Sequence, residues 1–243
     1  MKPWTKMGIG IGIICAVLIV LGVLLRSGAR NFFYPAAPAM PAIVSESMPE
    51  ILAKLESVLT TKAPHVLAAL RPGLSAEEIS RLENEYHVQL PDDIKTIYQW
   101  HNGSLRTTNY LSGDFIPGHW FLPLDEALSE RVASSPGKAT LLQRFAYAFF
   151  AGHRESWICL FSDGAGDGYW FDPKRKPAEG AVFFNFNETG TYEFFPSAKN
   201  LMAGIVKCYD QEIFRVKAGS SPPELDEDFQ RSGKIWDEFG ASN

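Results

Sequence analysis

The sequence predicts an α+β fold: an antiparallel or mixed sheet packed with flanking helices, preceded by one transmembrane helix. Three observations predict the folded part. Two amphipathic helices with clear start signals occupy residues 73–104, short strand-like runs crowd residues 157–195, and a helix returns from Ser197 to Tyr209. Helices grouped apart from strands, with short turns between the strands, point to α+β rather than to a parallel α/β sheet.

The first element is Met7–Leu25, a run of 19 residues without a charge, flanked by Lys2 and Lys6 before it and Arg26 and Arg30 after it. At 1.5 Å per residue, such a helix just reaches across the roughly 30 Å hydrocarbon core of a bilayer. A cleaved signal peptide would carry a shorter apolar run, about 7–15 residues, ending at a small-residue site. Here Arg-Ser-Gly-Ala-Arg follows, so residues 1–30 are read as an uncleaved single-pass anchor. The basic residues that set topology are balanced on the two sides, and the soluble part is assigned to the cytoplasmic side as an expectation. Residues 31–49 hold four prolines and read as a linker, and residues 50–69 as a helical lead-in with an apolar stripe of Ile51, Leu52, Leu55, Val58 and Leu59.

A domain is expected over residues 70–210. Ser75 followed by Glu78 makes a capping box that satisfies free amides of the first helical turn. Ile79, Leu82 and Tyr86 then share a face, leaving Glu77, Arg81, Glu83 and Glu85 to water. Pro91-Asp92-Asp93 opens a second helix with apolar positions Ile94, Ile97, Tyr98 and Trp100. His101-Asn102-Gly103 is read as its end, with Gly103 as a left-handed C-cap. Phe121–Leu124 reads as an extended piece entering a short helix at Asp125-Glu126.

Strands are expected at Trp157–Ser162, Tyr169–Asp172, Ala181–Asn187 and Thr191–Phe195, with a turn at Asn187–Gly190. The stretch FSDGAGDGYWFD, Phe161–Asp172, joins the first two of these. It fails as a calcium loop, because Ala165 and Lys174 stand where oxygen ligands are needed, and it lacks the order of a phosphate loop. It reads instead as a hairpin turn whose small residues supply positive φ and whose Asp163 and Asp167 bond the turn's own amides. Residues 211–243 read as a charged tail with Phe229 and Trp236 as possible docking points.

Charge narrows the function. Of 23 basic residues four lie in the first 30, so the rest of the chain carries 19 against 28 acidic residues. That surface lacks the basic patch a nucleic-acid partner requires, and it fits a basic partner or, equally, an ordinary solvated surface. His65, His87, His101, His119 and His153 show no metal-ligand spacing, and no nucleophile elbow or matched base accompanies Ser162-Asp163. The reading is therefore non-enzymatic, with no cofactor and no metal. Cys159 and Cys208 are read as buried thiols, with a disulfide as the alternative if the domain lies outside the cytoplasm. Aromatics at Phe183, Phe184 and Phe186, and at Phe145–Phe150, feed both faces of a sheet and its helix cover; core packing is the default for each, and an exposed aromatic face would be a protein-binding surface.

Three stretches in order, GLSAEEISRLENEYHVQLPDDIKTIYQWHNGS, FLPLDEA and WICLFSDGAGDGYWFD, resemble the SMI1/KNR4 family of the SUKH superfamily. The family's features fall on Leu90, Pro91 and Asp92, on Trp100, Asn102 and Gly103, on Pro123, Leu124 and Glu126, and on Asp163, Gly164, Gly166 and Asp167. Ala165 and the extra Gly168 depart from the pattern, as do the longer residues 127–156. The resemblance implies binding rather than chemistry. Bacterial members are typically immunity proteins that neutralise toxins or effectors, and fungal members are linked to the cell wall. The partner is then a toxin or effector, or alternatively an envelope protein. Expected contact residues are Trp100, His101, Asn102, His119, Trp120, Asp163, Asp167, Tyr169 and Trp170.

Overall fold

The computed structural model describes residues 41–105, 113–133, 157–173, 180–186, 190–220 and 223–240. The chain divides into one unit over Met1–Ala39 and a second over Met40–Asn243, and the fold described is that of the second. The apolar run 7–25, Cys15, His153, Phe145–Phe150 and the turn at 187–189 lie outside the described residues. Among those described, no helix is long and apolar enough to cross a membrane.

The centre is a six-stranded sheet in the order β3-β4-β5-β6-β7-β8, a meander in which each strand pairs antiparallel with the next. Its strands are β3 (Asp114–Ile116), β4 (His119–Phe121), β5 (Ile158–Ser162), β6 (Gly168–Asp172), β7 (Ala181–Phe186) and β8 (Gly190–Phe195). Register fixes the faces, because directly opposed residues point the same way. Phe121 faces Phe161, Phe161 faces Tyr169, and Tyr169 faces Phe184, so one row of aromatics crosses four strands. Phe115 stacks on Phe161 at 5.4 Å with the rings 3° apart, and the row merges with the main core. Opposite residues Trp120 with Ser162, and Trp170 with Phe183, fall on the other face, where Trp157 stacks on Phe183 at 4.3 Å.

The helices bury their apolar stripes against the first face. α1 (Met48–Lys62) contributes Ile51, Leu52, Leu55 and Leu59, and packs on α6 (Ala198–Asp210). A short α2 (Pro64–Ala68) follows, then β1 (Leu70–Pro72), α3 (Ala76–Glu85) and α4 (Asp92–Trp100). The capping box at the start of α3 forms as the sequence predicts: Glu78 N–H donates to Ser75 Oγ at 3.2 Å, and Ser75 N–H to Glu78 Oε2 at 2.8 Å. Glu83 does not face water as expected. Its Oε1 accepts the Leu90 N–H at 2.7 Å and pairs with Lys95 at 3.0 Å, so it fastens the Leu90-Pro91 step between the helices.

The end of α4 also differs from expectation. His101 is extended at φ −147° and ψ 143°, and β2 (His101–Ser104) pairs antiparallel with β1 instead of forming a C-cap turn. Strand pairing gives these amides partners that a helix cap would otherwise supply. Gly103 does take a positive φ of 79°, but its need for glycine is tertiary: a Cβ there would lie 2.4 Å from the Pro123 nitrogen. Gly73 is pressed harder, since its Cβ would lie 1.8 Å from the Gln99 carbonyl oxygen.

After β4 comes α5 (Leu124–Ala133), which packs on β5. α6 starts at Ser197, whose Oγ accepts the Asn200 N–H at 3.2 Å. Beyond it the stretch read as a tail folds into β9 (Phe214–Val216), β10 (Leu225–Glu227) and α7 (Phe229–Phe239). Buried Asn200 clasps the two ends of the unit. Its Nδ2 donates to Ala42 O at 3.1 Å and Phe239 O at 3.0 Å, while its Oδ1 accepts from Val44 N–H at 3.2 Å. Gly204 lets α7 approach α6, because a Cβ there would lie 2.9 Å from the Trp236 ring. Cys159 and Cys208 are both buried thiols, and Cys159 Sγ–H donates to the Phe161 carbonyl at 3.4 Å.

Candidate functional site

The nine expected contact residues separate into three places. Trp100 and His101 join a cluster with Glu56 on α1. Trp100 Nε1–H donates to Glu56 Oε2 at 2.8 Å, His101 Nε2 lies 3.5 Å from the same oxygen, and His101 Nδ1 lies 2.7 Å from the Arg71 carbonyl. Trp100 and His101 meet edge to face at 4.4 Å. These contacts tie α1, α4 and β1 together, a load-sharing role inside the fold. Asn102 is similarly engaged, with its Oδ1 accepting the Leu124 N–H at 2.9 Å, so it caps the start of α5.

The second place is the β5–β6 hairpin. Asp163 Oδ1 accepts the amides of Ala165, Gly166 and Asp167 at 2.8, 3.0 and 2.9 Å. Asp163 N–H donates to the Asp167 carbonyl at 3.1 Å, closing the loop. The amide-binding role foreseen for Asp163 is filled by its side chain, and Asp167 contributes its backbone carbonyl to the loop. Gly164 has φ 77° and sits on Trp120, whose ring a Cβ would meet at 2.6 Å. Asn185 Nδ2–H donates to Gly166 O at 2.7 Å and holds the loop to β7. Trp120 is buried and Trp170 half-buried, both on the sheet face opposite the main core.

His119 and Tyr169 belong to the third place, a groove of about 480 Å³ lined mainly by apolar side chains. Tyr169, Phe184, Phe186 and Phe194 form its sheet side, the β3–β4 turn from Ile116 to His119 one wall, and α7 with Phe229, Ser232, Gly233 and Trp236 the other. The turn is built by Asp114, whose carboxylate accepts the Gly118 N–H at 3.0 Å, and by Gly118 itself at φ 74°. Burial holds the Asp114 carboxyl above its ordinary range, against the lowering effect of that amide.

His119 stands edge-on to Tyr169 at 5.4 Å and to Phe184 at 5.7 Å. Its Nδ1 lies 3.1 Å from the Pro117 carbonyl, so the neutral ring carries its proton on Nδ1 and leaves Nε2 as an acceptor. Among the described residues Nε2 is buried without a hydrogen-bond partner. Burial pushes the His119 pKa down, and Asp163, Asp114 and Asp167 only partly oppose it. Glu227 lies in the same groove, and its carboxylate is hydrogen-bonded by the Ser232 and Trp236 side chains. Burial nonetheless raises its pKa, because desolvation outweighs those bonds.

Glu227 and Ser232 are among the groove residues that the sequence analysis did not single out. The available signal was Asp228 followed by an apolar spacing of Ile235, Trp236 and Phe239, which marks a capped amphipathic helix rather than a tail. Phe229 and Trp236, read as docking points, take opposite roles: Trp236 is buried, while Phe229 is 78% exposed. Among the described residues no group of three or more His, Cys, Asp or Glu side chains could hold a metal ion.

The family model described as SMI1 / KNR4 family (SUKH-1) matches residues 73–204. No curated protein matches the chain.

Proposed function

Because the chain belongs to the SMI1/KNR4 family (SUKH-1), we propose that it is a protein-binding module that neutralises a toxin or effector by direct contact, in the manner of an immunity protein. The observation that carries this reading is the family match over residues 73–204, which spans the helix pair and the sheet. Family members are typically non-catalytic. The geometry supports binding in a second way. The sheet presents a groove lined by aromatics, with Phe186 43% and Phe229 78% exposed at its edge, and solvent-facing aromatic surface is characteristic of protein contacts.

The proposal includes a tether. Residues 7–25 anchor the protein in a membrane, the linker is shorter than the expected 31–49 because Ala42 and Val44 bond Asn200 and Met48 opens α1, and the binding domain sits on the cytoplasmic side. A reporter fused at the C-terminus reads the side directly, and activity of a periplasmic reporter reverses the assignment.

The function itself is tested by co-expressing the full chain with the effector encoded beside its gene. Loss of the effector's toxicity, with retention of the effector on the purified chain, is the expected result. If toxicity persists and no effector is retained, the immunity reading fails. A cell-wall defect on deletion of the gene would then place the protein among envelope factors instead.

A further inference from the structure

The groove beside α7 contains a charge pattern that specifies its occupant. Its walls are mainly aromatic, and the polar side chains among them are those of His119, Ser232 and Glu227, the last an acid. The neighbouring acids are each held by a cation, Asp226 by Arg215 at 3.2 Å and Glu224 by Lys217 at 3.4 Å. Among the described residues no lysine or arginine pairs with Glu227, although it is the acid placed inside the groove. A carboxylate withdrawn from water without a countercharge is costly, and a cation brought by a partner relieves that cost. Aromatic walls favour the same guest, since a cation and an apolar side chain both bind well against ring faces.

We propose that this groove docks a segment of the partner protein in which a large apolar side chain stands next to a lysine or arginine. The apolar group enters among Phe184, Phe186, Phe194 and Trp236, and the cation pairs with Glu227. This rests on the protein-binding reading and names its surface and the partner's chemistry. The wall formed by Glu227, Phe229, Ser232 and Trp236 lies beyond residue 204, where the family match ends.

The test uses the full chain in detergent micelles, labelled with 5-fluorotryptophan, the Trp236 resonance being assigned by Trp236→Phe. The probes are N-acetyl-Phe-Lys-amide, N-acetyl-Phe-Glu-amide and N-acetyl-Gly-Lys-amide. Phe-Lys is expected to shift the Trp236 signal with a Kd on the order of millimolar, and the other two to bind about tenfold more weakly. Glu227→Gln, which keeps the shape and removes the charge, is expected to weaken Phe-Lys by about tenfold and not to weaken Phe-Glu. Phe229→Ser, at an exposed position, is expected to weaken both Phe probes. Equal shifts from all three probes, no shift up to the solubility limit, or unchanged binding by Glu227→Gln overturns the proposal. Retention of an effector equally by wild type, Glu227→Gln and Phe229→Ser overturns the groove while the protein-binding reading stands. Probe binding without any retained effector leaves the groove standing and sinks that reading.

Discussion

Replacing Asp163 by alanine removes one oxygen that holds three amides, those of Ala165, Gly166 and Asp167, at 2.8–3.0 Å. Hydrogen bonds to a charged acceptor contribute roughly 1.5–3 kcal/mol each when considered singly. Their sum overstates the loss here. Gly164, Ala165 and Gly166 are exposed, so water re-bonds the freed amides, and the backbone bond from Asp163 N–H to Asp167 O keeps the loop closed. The expected loss is therefore about 2 kcal/mol for Asp163→Ala. Asparagine retains an acceptor oxygen but not the charge, so Asp163→Asn should lose about half as much. Thermal unfolding followed by circular dichroism should show Tm falling by about 4–8 °C for alanine, at about 2–4 °C per kcal/mol for a unit of this size. Hydrogen exchange should quicken at the three named amides and not at the paired β5 and β6 amides. If both variants stay within about 0.5 kcal/mol of wild type and those amides exchange unchanged, the Asp163 argument is wrong.

Gly73→Ala should cost about 2–4 kcal/mol, because a Cβ 1.8 Å from Gln99 O pushes the chain off α4 and breaks the bond from Leu74 N–H to Tyr98 O; urea denaturation measures it. Gly118→Ala is the contrast: φ is 74° but nothing lies within 4 Å, so only local strain of about 1 kcal/mol is expected. His119 sets a pH dependence. Its folded pKa is depressed below 6.5, so between that depressed value and 6.5 the unfolded chain binds the proton and the folded chain does not. The His119 contribution is thus complete above pH 6.5 and is lost as pH falls through that window. His65 acts in the same direction, whereas Glu227 and Asp114, with raised pKa values, make stability increase as pH falls toward their ordinary values. The difference between wild type and His119→Gln across the pH range isolates the histidine. Finally, burial raises the Cys208 thiol well above its ordinary pKa, so alkylation mapped by mass spectrometry should find Cys208 and Cys159 protected in the native protein and labelled in denaturant.

Local chemistry was legible in the sequence wherever the physical cause is itself local. The Ser75–Glu78 box, the Ser197 start of α6 and the strands β5 to β8 depend on neighbours a few residues apart, and each forms where the local sequence signals place it. The acidic balance and the small-residue turn at Asp163 belong to the same class. Residues whose partners are distant in sequence were decided by the tertiary structure. Glu83 turns inward because the Leu90 amide and Lys95 need it, and His101 extends because β1 offers strand partners 30 residues away. Asn102 caps α5 from 22 residues upstream, a pairing that no periodicity encodes. The groove is the extreme case. Its turn, sheet and helix walls come from three separate parts of the chain, and Glu227 gains its character only where folding strips its water away. Sequence alone set which segments can be helix, strand or turn. Only packing decided which of their side chains meet, because contact and desolvation are properties of the folded surface.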